Sequence, residues 1–213
     1  MAALKDKAYE LIKDRILFCE LEQGQIINEK QIMEEHNLGR TPVREAIIRL
    51  SSEKLLKVLP RRGVFVSDIN MMEIGKLFEI RKVLEVHYSK RVAKIIGEKE
   101  IDELTVFLKK NEEATKRGDI KEIVSSVKTF HLKIFSFLDD SFLLEVLETL
   151  YERLSRILFY VNIKTPGAYK STYAEHKELI QLLQEGDEKK IASYISRHID
   201  GVKEQVFSCM MES

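Results

Sequence analysis

Apolar side chains in the first 40 residues recur at helical spacing in two segments. The first segment covers residues 8–18, and we predict a helix that continues to near Gly24. The second follows Asn28, which can cap a helix whose capping-box partner is Gln31. Because Gly39 ends this second segment, the pattern predicts a short helix between Asn28 and Gly39.

A third amphipathic segment follows at once with the sequence RTPVREAIIRL. Thr41 is placed to cap this helix, and Pro42 suits its first position, where a missing N–H costs nothing. The pattern leaves Arg40, Arg44 and Ile48 away from the buried side, together with Thr41. Four apolar residues at positions i, i+3, i+4 and i+7 form the predicted core stripe: Val43, Ala46, Ile47 and Leu50.

Two short runs rich in β-branched and aromatic residues come after the third helix, LLKVLP and RRGVFVSDI. Pro60, Arg61, Arg62 and Gly63 separate them, which is the composition of a hairpin tip. Three helices and a hairpin predict a winged helix-turn-helix domain over residues 1–69. Such a domain presents its recognition helix to the major groove of DNA and its hairpin to phosphate or the minor groove.

The remainder of the chain, residues 70–213, changes to long amphipathic segments without a competing strand pattern. Helices of this length need a shared core, so we predict an all-helical bundle and, for the whole chain, a mainly α fold. Glycine, proline and aspartate residues separate about six predicted helices, which lie near 70–96, 99–117, 119–138, 141–163, 168–185 and 188–210.

Charge is unevenly distributed along a chain whose formal net charge is zero. Between Arg40 and Val66 there are seven Lys or Arg and only two Glu. Lysine and arginine neutralise phosphates and release condensed counterions, and an arginine can also bind two acceptors of guanine. Pattern and charge together therefore predict binding to double-stranded DNA.

The composition also excludes several classes of protein. Charged residues interrupt the first 18 positions, and no apolar run is long enough for a membrane helix, so we expect neither export nor a membrane span. Cys19 and Cys209 are the only cysteines, and they match no disulfide framework or thiolate metal spacing. We therefore expect a cytoplasmic protein.

Three of the five histidines fall on the inward side of predicted bundle helices. His131, His176 and His198 each align with apolar residues three, four or seven positions away. A single inward histidine is usually a hydrogen-bonded core residue, but repetition on three helices suggests that these side chains converge. Neutral imidazole is a common ligand of zinc and nickel, and helical bundles build metal sites from facing helices.

The stretch LGRTPVREAIIRLSSEKLLKVLPRRGVFV resembles the DNA-binding segment of GntR-type bacterial transcription regulators. The rest of the chain resembles the FadR branch of that family, whose C-terminal ligand-binding domain, of the FCD type, is an all-helical bundle. Arg40 and Arg44 would then contact bases or phosphates, and Lys30 and Arg62 the DNA backbone. The resemblance implies DNA contacts or wing-tip positions at Lys30, Arg40, Thr41, Arg44, Arg62 and Gly63.

The same resemblance implies a metal and an effector site in the bundle. Many FadR-branch domains pair the three histidines with an aspartate one turn before the first, and here that position is Val127. Three histidines can still hold a divalent metal if water or a ligand carboxylate completes the shell. Arg81 matches a position that tends to point into the effector cavity, and a salt bridge to Glu85 is the alternative. Other polar residues could supply the missing metal contact: Ser125, Ser126 and Tyr173.

We interpret the chain as a ligand-responsive transcription regulator. It would bind an inverted-repeat operator as a homodimer. We expect its effector to be a small carboxylate metabolite, and a divalent metal such as zinc or nickel to bind in the C-terminal helical domain. Two alternatives stay open, a DNA-binding protein with a purely structural bundle and a three-histidine metal-dependent hydrolase. We expect that the protein is not an enzyme. The sequence has no GxSxG, HExxH or phosphate-binding glycine loop, and no Asp or Glu at helical spacing on the histidine face offers an obvious general base.

Overall fold

The computed structural model describes residues 2–212 and divides into two compact units. The first unit ends at Ile69, and the second begins at Asn70. None of the helices within residues 2–212 is both long and apolar enough to cross a membrane.

The first unit is a winged helix-turn-helix, which confirms the predicted fold of this part of the chain. Leu56 pairs with Val66 at the base of an antiparallel hairpin, and Ile26, in the loop before the second helix, adds a bridge to Phe65. The elements are α1 (Ala2–Leu17), α2 (Glu29–His36), α3 (Arg40–Ser52), β1 (Leu56–Leu59) and β2 (Gly63–Val66).

The core of the first unit forms where α1 packs against α3. Ala8, Ile12 and Ile16 of α1 are completely buried. The predicted core stripe of α3 is confirmed, since Val43 and Leu50 are also completely buried and the two residues between them on this face are nearly so. Burial of each large aliphatic side chain contributes about 1.5–3 kcal/mol, so this contact holds α3 in place.

Two helices of this unit end earlier than the apolar pattern predicted. α1 ends at Leu17 rather than near Gly24, because Cys19 adopts a φ of 54° that interrupts the helical path. α2 ends at His36, because Asn37 takes the left-handed conformation and its N–H caps the helix. Both ends depend on a non-glycine residue with positive φ, which apolar spacing does not reveal.

The start of α2 is partly as predicted. Asn28 is its N-cap, and the Asn28 side chain accepts a hydrogen bond from the backbone N–H of Gln31. The Gln31 side chain, however, donates to Glu35 Oε1 at 2.6 Å instead of closing a capping box. Side chains therefore satisfy one free backbone N–H group at this end of the helix, whereas a capping box would satisfy two.

The start of α3 differs from the prediction. The helix begins at Arg40, and the extended residue Gly39 occupies the cap position without a side-chain hydrogen bond. Thr41 is therefore not the cap, and Pro42 lies third in the helix rather than first. The missing N–H of Pro42 still costs nothing, because the first turn has no carbonyl partner for it. The Thr41 side chain is left exposed to solvent.

The second unit consists of helices, as predicted for the bundle. Asp119, Asp140 and Asp187 cap three of them by accepting backbone N–H groups. The α8 helix starts later than predicted, because a turn containing Pro166 and Gly167, with φ of 90°, occupies the intervening residues. The helices are α4 (Met71–Ala93), α5 (Glu98–Arg117), α6 (Ile120–Ser136), α7 (Ser141–Lys164), α8 (Thr172–Glu185) and α9 (Glu188–Met211).

The buried face of α4 is unusual because it carries polar residues. α4 packs along α9 and also contacts α6, α7 and α8. Arg81, Glu85 and Ser89, spaced four residues apart, are each no more than 2% exposed. Buried charges are rare unless they are paired, so this row indicates a polar site inside the bundle.

Candidate functional site

The first turn of α3 presents a polar face to solvent. Arg40, Thr41 and Arg44 are all exposed there. Ile48, one turn after Arg44, is 68% exposed although it is apolar. A helix with this face can lie in the major groove, where an arginine binds guanine and an aliphatic side chain contacts the thymine methyl group.

The hairpin tip and α2 add further exposed cations. Arg61 and Arg62 lie at the tip, and both are exposed. Gly63 follows with a φ of 110°, a conformation that only glycine adopts without strain, so it shapes the tip. Lys30, in the first turn of α2, has a side chain that is 80% exposed. The structure thus places all the predicted DNA-contacting residues of this unit in solvent.

The ion pairs around these cations are weak. Arg44 Nε lies 3.5 Å from Glu29 Oε2, and Lys30 Nζ lies 3.7 Å from Glu34 Oε1. Exposed pairs of this kind contribute at most about 1 kcal/mol, so phosphate can replace the carboxylates. Within residues 2–212, Arg40 has no ion-pair partner.

The second unit brings together the three predicted histidines. His131 lies on α6, His176 on α8 and His198 on α9. One ring nitrogen from each lies within 4.8 Å of the others, and the first two side chains are buried. The apolar neighbours used in the sequence analysis correctly predicted that these side chains converge.

Carboxylates lie behind two of the three imidazoles. Glu175 Oε2 is 2.7 Å from His198 Nδ1. Glu85 Oε2 is 3.3 Å from His131 Nδ1, an ion-pair distance without hydrogen-bond geometry. Histidines that bind a metal usually have such a carboxylate on the nitrogen that faces away from the ion, and it fixes the orientation of the ring.

The third imidazole is held by stacking. His176 stacks on Phe130, with ring centroids 4.3 Å apart and an interplanar angle of 15°. Its Nδ1 atom is buried and has no hydrogen-bond partner in the described part of the chain. Such an orphaned nitrogen beside two other imidazoles fits a site for an external ligand or ion.

A buried network connects α4 to this cluster. Arg81 Nε donates to Glu85 Oε1 at 2.5 Å, the Tyr151 hydroxyl donates to the same oxygen, and both charged side chains are 2% exposed. Burial alone would raise the pKa of Glu85, but Arg81 and His131 hold that pKa below its usual range. Burial, reinforced by Glu85, raises the pKa of Tyr151 well above its usual value. Glu85 is therefore ionised and Tyr151 neutral.

Arg81 combines the two roles that the sequence left as alternatives. It forms the salt bridge with Glu85, and it also lines the cavity, with a guanidinium nitrogen 3.5 Å from His131 Nε2. Five N–H donors allow one guanidinium to serve several acceptors. The two interpretations are compatible.

Burial favours the neutral form of two of the imidazoles. It lowers the pKa of His131 below its ordinary value, against the opposing effect of Glu85. Burial lowers the pKa of His176 further, and the neighbouring His131 and His198 add to the effect. Since neutral imidazole is the form that binds a metal, both side chains are ready to do so at neutral pH.

The donor set fits a zinc-like or nickel-like ion, with open coordination positions. Three imidazole nitrogens converge, and carboxylates lie behind two of the rings. Val127 lines the adjoining cavity but offers no donor. Within the part of the chain that the structure describes, the three alternative polar partners do not line that cavity: Ser125, Ser126 and Tyr173.

The cavity beside the histidines has a volume of about 660 Å³. This lies in the range typical of small-molecule sites. Thr172, Arg197 and Gln205 are among the polar residues that line it. Asn162 also lines it, and its side-chain oxygen is buried without a hydrogen-bond partner among the described residues.

Sequence reasoning missed the carboxylates at this site. Glu175 was not singled out, and Glu85 was considered only as a partner of Arg81. Glu175 directly precedes His176, and consecutive side chains on a helix point about 100° apart. Helical spacing therefore gives no signal that both residues belong to one site. It reaches the site only because α9 brings His198 to that side of α8. The structure therefore places two carboxylates beside the histidines that helical spacing did not reveal.

Two family profiles match the sequence. Residues 4–66 match the profile described as "Bacterial regulatory proteins, gntR family". Residues 76–201, more than half of the chain, match the profile described as "FCD domain". The two matches fall on the two structural units.

Curated relatives and solved structures agree with these matches. The chain is 23% identical to the HTH-type transcriptional repressor RspR of Escherichia coli (strain K12), over 99% of this chain and 92% of that protein. It is 28% identical to the gluconate operon transcriptional repressor of Bacillus subtilis (strain 168), over 93% of this chain and 83% of that protein. Its fold matches that of E. coli McbR/YncC with a TM-score of 0.83, at 22% identity, covering 98% of this chain and 99% of that chain. The chain is therefore a transcription regulator of the GntR family, with an FCD ligand-binding domain in its second unit.

Proposed function

We propose that this regulator belongs to the FadR branch and binds an inverted-repeat operator as a homodimer in the cytoplasm. The first unit would bind DNA, with α3 in the major groove and the hairpin tip at the backbone or minor groove. The second unit would bind the effector and join the two copies. Two-fold symmetry of the protein requires two-fold symmetry of the operator.

The proposal that the first unit binds DNA rests mainly on the exposed face of α3. Arg40 and Arg44 are exposed while the opposite side of the same helix is fully buried. The core therefore fixes the direction of both arginines. Arg62, at the hairpin tip, supplies a further cation to the DNA backbone.

Arg44→Ala is expected to reduce specific operator affinity by about 1–3 kcal/mol, as for an arginine that binds a base edge. Fluorescence anisotropy with a labelled operator measures the change. Arg117→Ala is the matched control, because Arg117 is an exposed arginine in the second unit and should leave affinity unchanged. Equal affinities for the wild type and Arg44→Ala would remove Arg44 from the interface.

We infer that His131, His176 and His198 hold a divalent metal, zinc or nickel, in the second unit. When bound, the ion would supply a positive charge and open coordination positions at one end of the cavity. The Glu175 carboxylate would orient His198, and Glu85 would orient His131 while it neutralises Arg81. Burial lowers the pKa values of His131 and His176, which favours the neutral form that binds a metal.

We further propose that the effector is a small anion such as a carboxylate. Arg81 lies beside the histidines, and Arg197 adds a second guanidinium to the cavity lining. A guanidinium binds a carboxylate through two parallel hydrogen bonds. Polar residues such as Asn162 and Thr172 would bind further oxygen atoms of the effector. Binding would change operator affinity only if the effector prefers one state of the protein.

The cavity argues against a purely structural bundle. A core that served only stability would pack without a 660 Å³ space and would pair its buried polar atoms. Here His176 and Asn162 line the cavity, and each has a buried side-chain atom, Nδ1 and Oδ1 respectively, that is unpaired among the described residues. A hydrolase is disfavoured because both carboxylates beside the histidines are engaged with imidazole or guanidinium groups, and the curated relatives named above are transcription repressors.

Elemental analysis of the purified protein tests the metal proposal, and mass spectrometry of its bound small molecules tests the effector proposal. Neither method requires the identity of the ligand to be known beforehand. We expect about one zinc or nickel per chain and a co-purified carboxylate. Calorimetric titration with Zn²⁺, and then with citrate as a probe carboxylate, quantifies both sites. A protein that binds neither metal nor carboxylate in any of these measurements would support the structural bundle instead.

A further inference from the structure

The outer face of α4 carries an apolar centre that no other element covers among the described residues. Ile80 is 51% exposed and Val83 is 70% exposed. The opposite face of the helix is buried, with Phe78 only 1% exposed. Solvent-exposed aliphatic side chains are ordinary when single, but these two are neighbours on one side of the helix, three residues apart.

Charges of opposite sign flank this centre. Glu73 and Glu79 lie toward the start of the helix, and Lys90 and Arg91 lie toward its end. At 100° per residue, the outer face spans an arc of about 120°. We call this face the α4 stripe; it consists of Glu73, Lys76, Glu79, Ile80, Val83, His87, Lys90 and Arg91.

The flanking charges of the α4 stripe have no ion-pair partner within residues 2–212. Lys82, the one lysine of α4 outside the stripe, does have a partner, since its Nζ atom lies 2.6 Å from Asp200 Oδ2. The Arg91 guanidinium lies 5.3 Å from the centroid of the Tyr88 ring. The helix dipole alone favours acids at the start of a helix and bases at its end. It does not explain an exposed apolar centre between them.

The α4 stripe is complementary to itself under a two-fold rotation. Measured along the helix axis, the midpoint between Ile80 and Val83 lies close to the level of residue 82. Glu73 precedes Lys82 by nine residues and Arg91 follows it by nine, which is about 13 Å on either side at 1.5 Å per residue. Two antiparallel copies of α4 crossing at this point would therefore place Glu73 of one copy opposite Arg91 of the other.

We propose that the α4 stripe is an interface between two copies of this chain, with the two-fold axis passing between Ile80 and Val83. Ile80 of one copy packs against Val83 of the second, and the reverse contact is equivalent. Two Glu73–Arg91 pairs at the ends set the antiparallel register. This inference rests on the dimer in the proposed function and names the surface that forms it.

Sedimentation velocity on the full-length chain tests the apolar centre. The wild type should sediment as a dimer of the 24.8 kDa chain. Val83→Asp should raise the dimer dissociation constant by about 100-fold or more, because it places two carboxylates at the axis. The matched control is Val106→Asp on α5, where the valine is 53% exposed, and this variant should stay dimeric. Circular dichroism checks that both variants remain folded.

Charge reversal tests the register. Glu73→Lys and Arg91→Glu should each weaken the dimer by about tenfold, since each brings like charges together at both ends. A mixture of these two variants should form a heterodimer at least as stable as the wild type, because every end contact is again between opposite charges. If these residues only stabilised the fold of each chain, mixing the two variants would not restore dimer formation.

The possible outcomes separate this proposal from the function. If Val83→Asp remains dimeric, or if mixing gives no recovery, the α4 stripe is not the interface, while wild-type operator binding would keep the proposed function intact. If the wild type is monomeric at every concentration, the interface is overturned, and the operator titration decides separately whether DNA binding stands.

Discussion

Glu85→Gln is expected to lower the free energy of unfolding of the second unit by about 3–5 kcal/mol. The substitution preserves shape but removes the carboxylate that neutralises Arg81. Arg81 is 2% exposed, so water replaces the lost carboxylate poorly. The Tyr151 hydroxyl would also lose its charged acceptor.

Urea denaturation followed by far-UV circular dichroism measures this effect, since the second unit contributes most of the helical signal. The matched control is Lys82→Ala on the same helix, which removes the Asp200 ion pair. That pair is partly exposed, with side chains 36% and 49% accessible, so its loss should cost less than about 1 kcal/mol. Equal destabilisation by the two variants would contradict the assigned importance of the buried pair.

A double variant separates the structural role of this pair from its functional one. Arg81→Met with Glu85→Leu replaces the ion pair with apolar side chains, and such replacements are often neutral or stabilising. We expect much of the lost stability to return. Zn²⁺ affinity should nevertheless fall by about 10–100-fold, because His131 loses the carboxylate behind its ring. Wild-type metal affinity in the double variant would show that Glu85 does not support the histidine.

His176→Ala is expected to lower Zn²⁺ affinity by roughly 100-fold or more. A four-ligand zinc site in a peptide is worth about 10–16 kcal/mol, so each ligand accounts for several kcal/mol. Competition with a chromophoric chelator measures the dissociation constant. His36→Ala is the matched control, because His36 lies in α2 of the first unit. Unchanged Zn²⁺ affinity in His176→Ala would exclude the histidine cluster as the metal site.

Val127→Asp tests the same site in the opposite direction. Val127 lines the cavity next to His131, one turn earlier on α6. An aspartate there would add a fourth ligand, and we expect Zn²⁺ affinity to rise by about tenfold or more. The added ligand would also occupy a coordination position, so binding of the citrate probe to the metal-loaded protein should weaken. Unchanged affinity for both ligands would place residue 127 outside the coordination sphere.

Features that depend on regular spacing were predicted well from the sequence. The buried side of α3 and the convergence of three histidines follow from helical periodicity, which the packed core preserves. The hairpin was also correct, because Gly63 and its neighbours have turn chemistry. In these places local propensity and tertiary packing favour the same structure.

Features that depend on single dihedral angles or on helix rotation were not predictable in this way. Cys19 and Asn37 end helices through positive φ, which their residue types permit but do not require. Glu175 joins the site only because of how α8 and α9 are rotated relative to each other. For Arg81, the sequence was compatible with a salt bridge or a cavity position, and packing in the second unit provides both.

The most direct test of the account is a titration of the full-length protein with fragments of genomic DNA at about 50 and 200 mM salt. We predict saturable binding to a subset of fragments that weakens steeply at the higher salt, because cations on α3 and the hairpin neutralise phosphates. A variant with both Arg40→Ala and Arg44→Ala should lose this binding while keeping its fold. No binding at the lower salt, or full binding by that variant, would contradict the assignment of the first unit as the DNA-binding unit.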